Sequence, residues 1–352
     1  MSDPALLSIA TATPPFRVDR ANWLNLAARL APEGVDRAVL ARLAERSAID
    51  ARACAAFVDG EDAFYRAGET PGTAARMELW ARAARAVALE AAREALARAT
   101  VEPSEISLVV TASCTGFDAP GIDAHLIESL GLRRDCRRLN VGFMGCHAAV
   151  NALAAARDAV LADPTTKALV CCAEISSAHL HDSARVDRLV ANTLFADGAA
   201  AAVVAAHEGP ALRLAGTHTA LIEGTRDEMR WTIGDRGFEM TLGARVPEIL
   251  EREVGPWVRE ALGRHRLRIE DVGAWAIHPG GPRVIDAVLA SLGLPHDAGD
   301  ASREVLREHG NMSSATLLFI LARLLATDAR GPWVALAFGP GLVGEMLVVR
   351  RA

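Results

Sequence analysis

The chain has 352 residues, of which 51% are hydrophobic and 23% are charged, and its formal net charge at pH 7 is -6. This balance is typical of a globular protein that is long enough for two domains or one large one. The negative charge argues against broad binding to nucleic acids or to anionic membranes, so an acidic ligand requires a local basic patch.

The cysteines and the start of the chain predict a cytoplasmic protein. None of the six cysteines forms a Cys-X-X-Cys pair, and Cys171 and Cys172 are adjacent in a predicted buried strand. This pattern fits neither a zinc site nor a disulfide framework, so we expect no metal and a reducing compartment. The first residues lack the basic region of a signal peptide, and no apolar run is long enough to span a bilayer.

The first half alternates between predicted strands and helices, which is the pattern of a layered α/β fold. Strands are expected at 6–10, 106–112, 139–143, 168–172 and 199–206. Helical patterns rich in Ala, Arg and Glu run to about residue 99, and further helices are expected from about Ile122 and from Cys146.

The second half begins near residue 208, so we expect two domains, at 1–207 and 208–352. Apolar residues recur at helical spacing from Val246 to Leu262 and predict an amphipathic helix. The other elements expected here are strands at 272–277, 333–338 and 346–349, with a helix from 283.

Each half contains one unusually apolar helix, and a helix that is apolar all round is a buried one. Cys146 begins the first of these helices. Asn311 lies just before the second, which spans 315–325 and has Ser313 and Ser314 as natural N-caps. If a pseudo-twofold axis relates the two halves, Cys146 and Asn311 point at one place.

Cys146 is a candidate nucleophile because of its position. The segment from Val141 to Ala156 carries no Asp, Glu, Lys or Arg. It predicts the end of a buried strand up to Met144, a tight turn at Gly145 and then a helix. Unpaired N–H groups and the helix dipole at that N-terminus favour a thiolate, which is the nucleophilic form. On this segment alone, a small core cysteine is an equally good interpretation.

His278 and Asn311 share one feature with Cys146, since each lies beside a glycine at the end of a predicted element. A Cys–His pair can form a thiolate–imidazolium couple, and an Asn amide can donate to a developing oxyanion. Taken singly, His278 is as well explained as a core histidine and Asn311 as a helix cap. Three such residues together favour a catalytic site.

Short motifs along the chain carry a family resemblance. They are Thr11-Ala12-Thr13-Pro14-Pro15, Leu194 to Ala200, His278-Pro279-Gly280-Gly281-Pro282, Gly310 to Ser314, and Phe338 to Leu342. In order and combination, these segments resemble the type III polyketide synthases, the chalcone synthase-like family, from residue 9 to residue 345. The runs around Cys114 and Cys146 resemble the bacterial members.

The resemblance implies a thiolase-like fold, in which two pseudo-symmetric α/β halves form a five-layered αβαβα arrangement, and it implies a homodimer. It also implies that Cys146 carries the growing acyl chain as a thioester. His278 and Asn311 would then stabilise the enolate that forms when malonyl-CoA loses carbon dioxide. The expected substrates are an acyl-CoA starter and malonyl-CoA, and no cofactor is expected.

The resemblance assigns further roles near these three residues. Phe195 matches an apolar gatekeeper between the CoA tunnel and the reaction cavity, and Met240 matches a second gatekeeper. Arg42, Arg46 and Arg283 match basic positions that hold the CoA phosphates, which would supply the local basic patch that the net charge requires.

The cavity positions depart from those of the plant members. Ala119 stands where plant enzymes have a methionine that reaches into the partner's cavity. The other expected cavity residues are Cys114, Thr115, Ser176, His179 and the Gly339-Pro340-Gly341 loop. With these departures we still expect the activity of the family, but the identity of the product does not follow from the resemblance.

Small or apolar cavity positions and a single tyrosine favour a medium or long fatty acyl starter, at roughly 0.8 kcal/mol per buried CH₂. The expected product is then an alkylpyrone or alkylresorcinol. One alternative is a ketoacyl-acyl carrier protein synthase III, which usually has His-Gln-Ala-Asn where this chain has His278 followed by Pro279. Another is a catalytically silent partner protein, which would be expected to lack one of the three site residues. HMG-CoA synthase requires a glutamate motif that we do not find.

Overall fold

The structure is a computed structural model of the chain, and it describes residues 3–58, 61, 62, 64, 65 and 70–351. In chain order its α-helices are α1 (Arg20–Leu30), α2 (Arg37–Arg46), α3 (Thr73–Ala99), α4 (Ile122–Leu130), α5 (Ala148–Ala162), α6 (Val186–Leu194), α7 (Val246–Arg264), α8 (Pro282–Leu292), α9 (Asp300–His309) and α10 (Ser314–Leu325).

Short and long strands separate these helices. They are β1 (Pro4–Ala12), β2 (Arg17–Asp19), β3 (Ala51–Ala53), β4 (Phe57–Val58), β5 (Glu61–Asp62), β6 (Leu108–Ser113), β7 (Arg137–Gly142), β8 (Lys167–Ile175), β9 (Asp197–Ala206), β10 (Leu212–Leu221), β11 (Met229–Gly234), β12 (Gly237–Leu242), β13 (Ala274–Ile277), β14 (Trp333–Gly339) and β15 (Val343–Arg351).

Nine of these strands form one mixed sheet in the order β13-β14-β15-β10-β1-β9-β8-β6-β7. β1 and β10 come from different halves and pair antiparallel, with Ala5 opposite Arg213 and Leu6 opposite Leu212. This pairing joins the two halves edge to edge. β6 is parallel to β7 and β8, and β13 is parallel to β14.

Three hydrophobic cores arrange the sheet and helices in layers. α5 and α10 contact each other between the two halves of the sheet, and their core includes Leu153 and Leu318. α3 packs on the outer face of the β1, β6, β8 and β9 strands, whereas α7 and α8 pack on the outer face of β13, β14 and β15. The layers are therefore α3, sheet, α5 with α10, sheet, and α7 with α8, which is the αβαβα arrangement.

The prediction of helical structure up to about residue 99 is wrong between α2 and α3. Residues 51–53 form β3, which pairs antiparallel with β2 through Ala51 opposite Asp19 and Ala53 opposite Arg17. Alanine and arginine favour a helix locally, but this pairing with a distant segment overrides that propensity. α3 itself ends at Ala99, as predicted.

The prediction of a buried strand before Cys146 is also wrong. β7 is the terminal strand of the sheet, and its side chains are largely exposed. Phe143 and Met144, which follow it, are each 40% exposed. An uncharged apolar run does not distinguish burial in the core of one chain from an apolar edge that faces outward.

Candidate active site around Cys146

Cys146 lies where β7 turns into α5. The backbone passes through Gly145, whose φ is +74° and whose Cα faces Pro340 so closely that a Cβ would lie 2.4 Å from it. A 3₁₀ turn over Gly145–His147 follows, and α5 begins at Ala148. Cys146 is 7% exposed and lines a cavity of about 20 Å³, which has room for one water molecule.

Polar groups from the start of α10 surround the Cys146 sulfur. The Ser313 hydroxyl donates to it at 3.5 Å, and the Asn311 side chain lies near enough to lower the pKa of the thiol. The Asn311 side-chain oxygen accepts the Ser313 N–H at 2.8 Å, which leaves the amide nitrogen to face the sulfur. The Cys114 sulfur lies 3.1 Å from the Ser313 oxygen. The two halves therefore bring Cys146 and Asn311 to one place.

Burial dominates the electrostatics of the Cys146 thiol. It raises the pKa of the thiol to about 12, and the hydrogen bonds from Ser313 and Asn311 lower that pKa only in part. The direction of this shift is opposite to the acidification that the position at a helix N-terminus predicts, because lost solvation outweighs the hydrogen bonds that favour the thiolate. The resting thiol is neutral at pH 7.

His278 follows β13 and is 1% exposed. Its backbone N–H donates to the Leu336 carbonyl at 2.8 Å. Burial, and then the neighbouring His147, lower the pKa of His278 to about 3, and neither ring nitrogen has a hydrogen-bond partner among the described residues. The thiolate–imidazolium couple that a Cys–His pair predicts is therefore not formed in this structure, which holds both groups neutral.

A backbone bridge ties Phe195 to Asn311. The Ala196 N–H donates to the Asn311 carbonyl, and the Asn311 N–H donates to the Leu194 carbonyl, each at 2.9 Å. The buried Arg52 guanidinium donates to the Phe195 carbonyl at 3.1 Å. These contacts hold the Phe195 side chain on the wall of the Cys146 cavity.

Glu174 hydrogen-bonds to residues that line the Cys146 cavity, and the sequence did not predict this role for it. Its buried carboxylate accepts the backbone N–H groups of Cys114 and Thr115, the Thr115 hydroxyl and the Ser314 hydroxyl. Burial raises the pKa of Glu174. A single acidic residue inside the apolar run of β8 is the signal that could have identified it. Ser313 and Ser314 stand at the start of α10 as predicted, but their hydroxyls bind Cys146 and Glu174 instead of capping the helix.

The β11–β12 hairpin closes the cavity. Trp231 and Met240 are opposite each other in register, and both line the cavity. The Trp231 indole N–H donates to the Cys114 carbonyl at 2.6 Å. Ser176 lies on the same wall, and its hydroxyl has no partner among the described residues. No sequence pattern marked Trp231, because its role depends on how the hairpin folds back over Cys114.

His179 lies behind this wall and belongs to a second cavity of about 20 Å³. Its Nδ1 accepts the Phe238 N–H at 2.9 Å, so Nε2 carries the proton and donates to the Thr115 carbonyl at 2.5 Å. The ring stacks on Phe238 at 4.3 Å. Burial lowers the pKa of His179 to about 3, so this histidine is a neutral packing group.

A larger cavity of about 660 Å³ lies beside the first, and Met229 lines both. Its volume is typical of a small-molecule site. Arg46 and Arg283 are among the residues that line it. Arg42 is exposed on α2 one turn before Arg46, but it is not among the lining residues.

Of the remaining residues that were predicted to line the cavity, Pro340 does so and Ala119 does not. Pro340 lines the Cys146 cavity, while Gly339 packs against the His147 ring and Gly341 has a φ of +75° that favours glycine. Ala119 is exposed and lines none of the cavities described above.

Among the described residues, no three His, Cys, Asp or Glu side chains are grouped so that they could hold a metal ion. No helix within the described residues has the length and apolar character needed to cross a membrane.

The arrangement is suited to acyl transfer through a thioester. A cysteine sulfur lies near an amide side chain at a small cavity with a mostly apolar lining, and a wider cavity adjoins it. A preorganised donor beside a nucleophile stabilises a developing oxyanion more strongly where water is excluded.

Comparisons with known proteins agree over the whole chain. The family described as "Chalcone and stilbene synthases, N-terminal domain" matches residues 2–208, and its counterpart "Chalcone and stilbene synthases, C-terminal domain" matches residues 213–352.

Among characterised sequences, the chain is 34% identical to the "Alpha-pyrone synthesis polyketide synthase-like Pks18" of Mycobacterium tuberculosis, over 97% of this chain and 91% of that protein. It is also 34% identical to the "1,3,6,8-tetrahydroxynaphthalene synthase" of Streptomyces peucetius, over 98% of this chain and 93% of that protein.

Solved structures show the same fold. The PKS-I of the brown alga Ectocarpus siliculosus superposes with a TM-score of 0.95 and 30% identity, covering 100% of this chain and 99% of that one. The 1,3,6,8-tetrahydroxynaphthalene synthase of Streptomyces coelicolor, a bacterial type III polyketide synthase, superposes with a TM-score of 0.90 and 29% sequence identity, covering 99% of both chains.

Ser313→Ala removes a hydroxyl that donates to the Cys146 sulfur, so it should raise the pKa of that thiol further. A hydrogen bond to a charged group contributes about 1.5–3 kcal/mol, so Cys146 should react with iodoacetamide about tenfold more slowly at pH 8. Intact-mass spectrometry over time measures the rate, and Cys146→Ala gives the background from the other thiols. Equal rates with and without the Ser313 hydroxyl would show that it does not stabilise the thiolate.

Proposed function

The chain belongs to the chalcone and stilbene synthase family of type III polyketide synthases, acyltransferases that catalyse decarboxylative condensation, and on that premise we propose that it extends a fatty acyl-CoA starter with malonyl-CoA to an alkylpyrone or alkylresorcinol. The observation that carries the proposal is the meeting of Cys146 with Ser313 and Asn311 beside a small apolar cavity that adjoins a wider one.

In the proposed reaction, the Cys146 sulfur attacks the starter thioester and CoA leaves with the sulfur's proton. Malonyl-CoA then loses carbon dioxide, and the electron pair of the broken C–C bond forms a thioester enolate. The enolate carbon attacks the acyl carbonyl on Cys146 and expels the thiolate, which returns the net charge to the sulfur. His278 and Asn311 are proposed to donate to the enolate oxygen, and the dry wall around Phe195 disfavours the malonyl carboxylate.

The CoA portion of both substrates is proposed to occupy the 660 Å³ cavity. Arg46 and Arg283 on its lining supply positive charge for phosphates, and Arg42 extends this patch along α2. Met229 lies between this cavity and Cys146, so a thin pantetheine arm that passes Met229 would deliver the thioester to the sulfur.

An apolar starter fits the side chains around the sulfur, among them Phe195, Met229, Trp231 and Met240. The relative from Mycobacterium tuberculosis is named for the synthesis of α-pyrones, which supports a pyrone as one of the two product classes. A naphthalene-forming relative from Streptomyces is equally similar in sequence, so the starter has to be measured.

The test is to incubate the protein with malonyl-CoA and a series of acyl-CoA starters from acetyl to palmitoyl, with an aromatic starter included. We expect kcat/KM to rise with chain length until the cavity is full, and mass spectrometry to identify alkylpyrones or alkylresorcinols. A preference for malonyl-CoA alone or for the aromatic starter would refute the fatty acyl proposal and leave the family activity standing.

Two variants tie this activity to named side chains. Cys146→Ala should form no acyl adduct and no product while it still binds CoA esters. Asn311→Ala should still load Cys146 but decarboxylate malonyl-CoA about 10²–10³ times more slowly, as expected for loss of one oxyanion donor. A protein that never loads a starter on Cys146 would instead be a silent member of the fold.

Neutralising the proposed CoA patch should weaken substrate binding without impairing chemistry. Arg46→Gln with Arg283→Gln should raise KM for malonyl-CoA about three- to tenfold, with kcat nearly unchanged, and the wild-type KM should rise with salt. Arg42→Gln should have a smaller effect, because Arg42 lies outside the cavity lining. Arg93→Gln, on an exposed position of α3, is the matched control. An unchanged KM in the double variant would place CoA elsewhere.

We propose that two copies of the chain associate through the β7 edge. Its backbone edge is unpaired in the described chain, and exposed apolar side chains lie on β7 and just after it, with Leu139 43%, Phe143 40% and Met144 40% exposed. Leu139→Arg should therefore shift the mass in solution, measured by light scattering, from dimer to monomer. Leu161→Arg, which alters a 50% exposed leucine on α5, should leave the dimer intact. A dimer that survives Leu139→Arg would move the interface elsewhere.

A further inference from the structure

His147 follows the nucleophile directly, and the reaction described above gives it no role. Its side chain is buried, and it is both the last residue of the 3₁₀ turn Gly145–His147 and the N-cap of α5. An N-cap side chain usually bonds to the free N–H groups at the start of its helix, but His147 makes no such bond to the described residues of α5. The polar atoms of this ring therefore serve another contact.

Three side chains in a row hold the His147 ring, and we call the four residues together the His147 array. Nδ1 lies 2.8 Å from the Asn151 side-chain oxygen, and the Asn151 amide nitrogen donates to the Glu345 carboxylate at 3.0 Å. The other carboxylate oxygen accepts from the Thr219 hydroxyl at 2.9 Å. Because a carboxylate only accepts, Asn151 turns its nitrogen toward Glu345 and its oxygen toward His147. Nδ1 of His147 therefore carries a proton and donates it to Asn151.

The other side of the His147 ring packs against the loop that follows β14. A Cβ on Gly339 would lie 2.4 Å from the ring carbon Cδ2, so the ring lies directly against the backbone there. A Cβ on Gly145 would lie equally close to Pro340 of the same loop. The turn therefore contacts this loop at two points, one before Cys146 and one after it, and the two contacts together define where the sulfur lies.

The His147 array reaches the strands that hold His278. Glu345 lies on β15 opposite Ala337 of β14, and the preceding residue of β14, Leu336, accepts the backbone N–H of His278. The array thus ties the residue after the nucleophile to the half of the chain that carries His278. A nucleophile has to be placed to a fraction of an ångström for attack on a bound thioester, so such a tie affects the rate.

From these contacts we propose that His147 is a positioning residue, whose ring is anchored by Asn151 and Glu345 and fixes the Cys146 turn relative to the half that carries His278. The proposal rests on the proposed function, since it concerns the loading of a starter on Cys146. Burial lowers the pKa of His147, so the ring is neutral at pH 7. The anchor therefore depends on hydrogen bonds and on packing, and it needs no charge on the ring.

The experiment measures loading of acetyl-CoA and octanoyl-CoA on Cys146 by intact mass, without malonyl-CoA, over a range of starter concentrations. His147→Phe keeps a ring in place and removes the donor, whereas Asn151→Leu keeps the histidine and removes the acceptor. Glu345→Leu removes the acceptor at the far end of the anchor, and Glu345→Gln restores one. Val160→Ala trims a buried side chain of α5 outside the array and controls for general loosening of that helix.

His147→Phe and Asn151→Leu should each lower the maximal loading rate at least about tenfold, because placement of the sulfur is lost. The half-saturating starter concentration should stay unchanged, because the binding of CoA esters is kept. Glu345→Leu should act in the same way, and Glu345→Gln should recover most of the lost rate, since its amide oxygen accepts from Asn151. Val160→Ala should load at the unsubstituted rate.

A normal loading rate in either His147→Phe or Asn151→Leu would overturn the proposal, so it stays testable if one of the two fails to fold. A Glu345→Gln protein as slow as Glu345→Leu would also overturn it, because the charge and not the anchor would then matter.

A second measurement separates positioning of the sulfur from damage to the whole site. In a Cys146→Ala background no thioester forms, and decarboxylation of malonyl-CoA reports on His278 and Asn311 alone. Adding His147→Phe to that background should change decarboxylation less than about twofold, because the proposed role concerns the sulfur. A parallel loss of decarboxylation would overturn the proposal. Failure of the proposed function looks different, because the unsubstituted protein would then load neither starter, and the role of His147 would fall with it.

Discussion

The back-to-back burial of α5 and α10 between the two halves of the sheet is the contact on which the site depends. Sheet strands cover both helices on two sides, which accounts for their apolar composition. The N-terminal ends of the two helices lie next to each other. Cys146 precedes one helix and Asn311 the other, so packing the helices brings sulfur and amide together. The buried Glu174 carboxylate reinforces this meeting, since it accepts from Thr115 of the first half and from Ser314 of the second.

The same burial that positions the groups also holds them uncharged. The pKa of Cys146 is raised to about 12 and that of His278 is lowered to about 3, in both cases mainly by loss of water. A dry site disfavours any isolated charge, including the carboxylate of a malonyl group, and a decarboxylation that disperses this charge is favoured there. The same loss of water therefore keeps Cys146 and His278 neutral and favours decarboxylation of the malonyl group.

The sequence predicted those parts of the molecule that depend on local periodicity and short motifs. The amphipathic α7, the apolar α10 and the glycine turn at Gly145 follow from spacing and residue type, and the structure confirms them. The exposed edge strand β7 and the strand pairing of residues 51–53 depend on distant partners, so local composition misassigned them. The pseudo-twofold relation between the two apolar helices predicts that Asn311 lies near Cys146. The contacts of Ser313, Glu174 and Trp231 at the site depend on residues distant in sequence, so the sequence alone does not predict them.

The structure separates the chemistry of the site from the shape of its cavity. Asn311 and Phe195 are held by backbone hydrogen bonds between the halves, so a side-chain change nearby leaves their positions intact. The wall opposite them comes from the β11–β12 hairpin, which pairs only with itself within the described chain. A substitution in that hairpin alters cavity volume while the sulfur and its donors stay in place. For this reason membership of the family establishes the reaction, whereas the size of the cavity depends on side chains such as Trp231 and Met240.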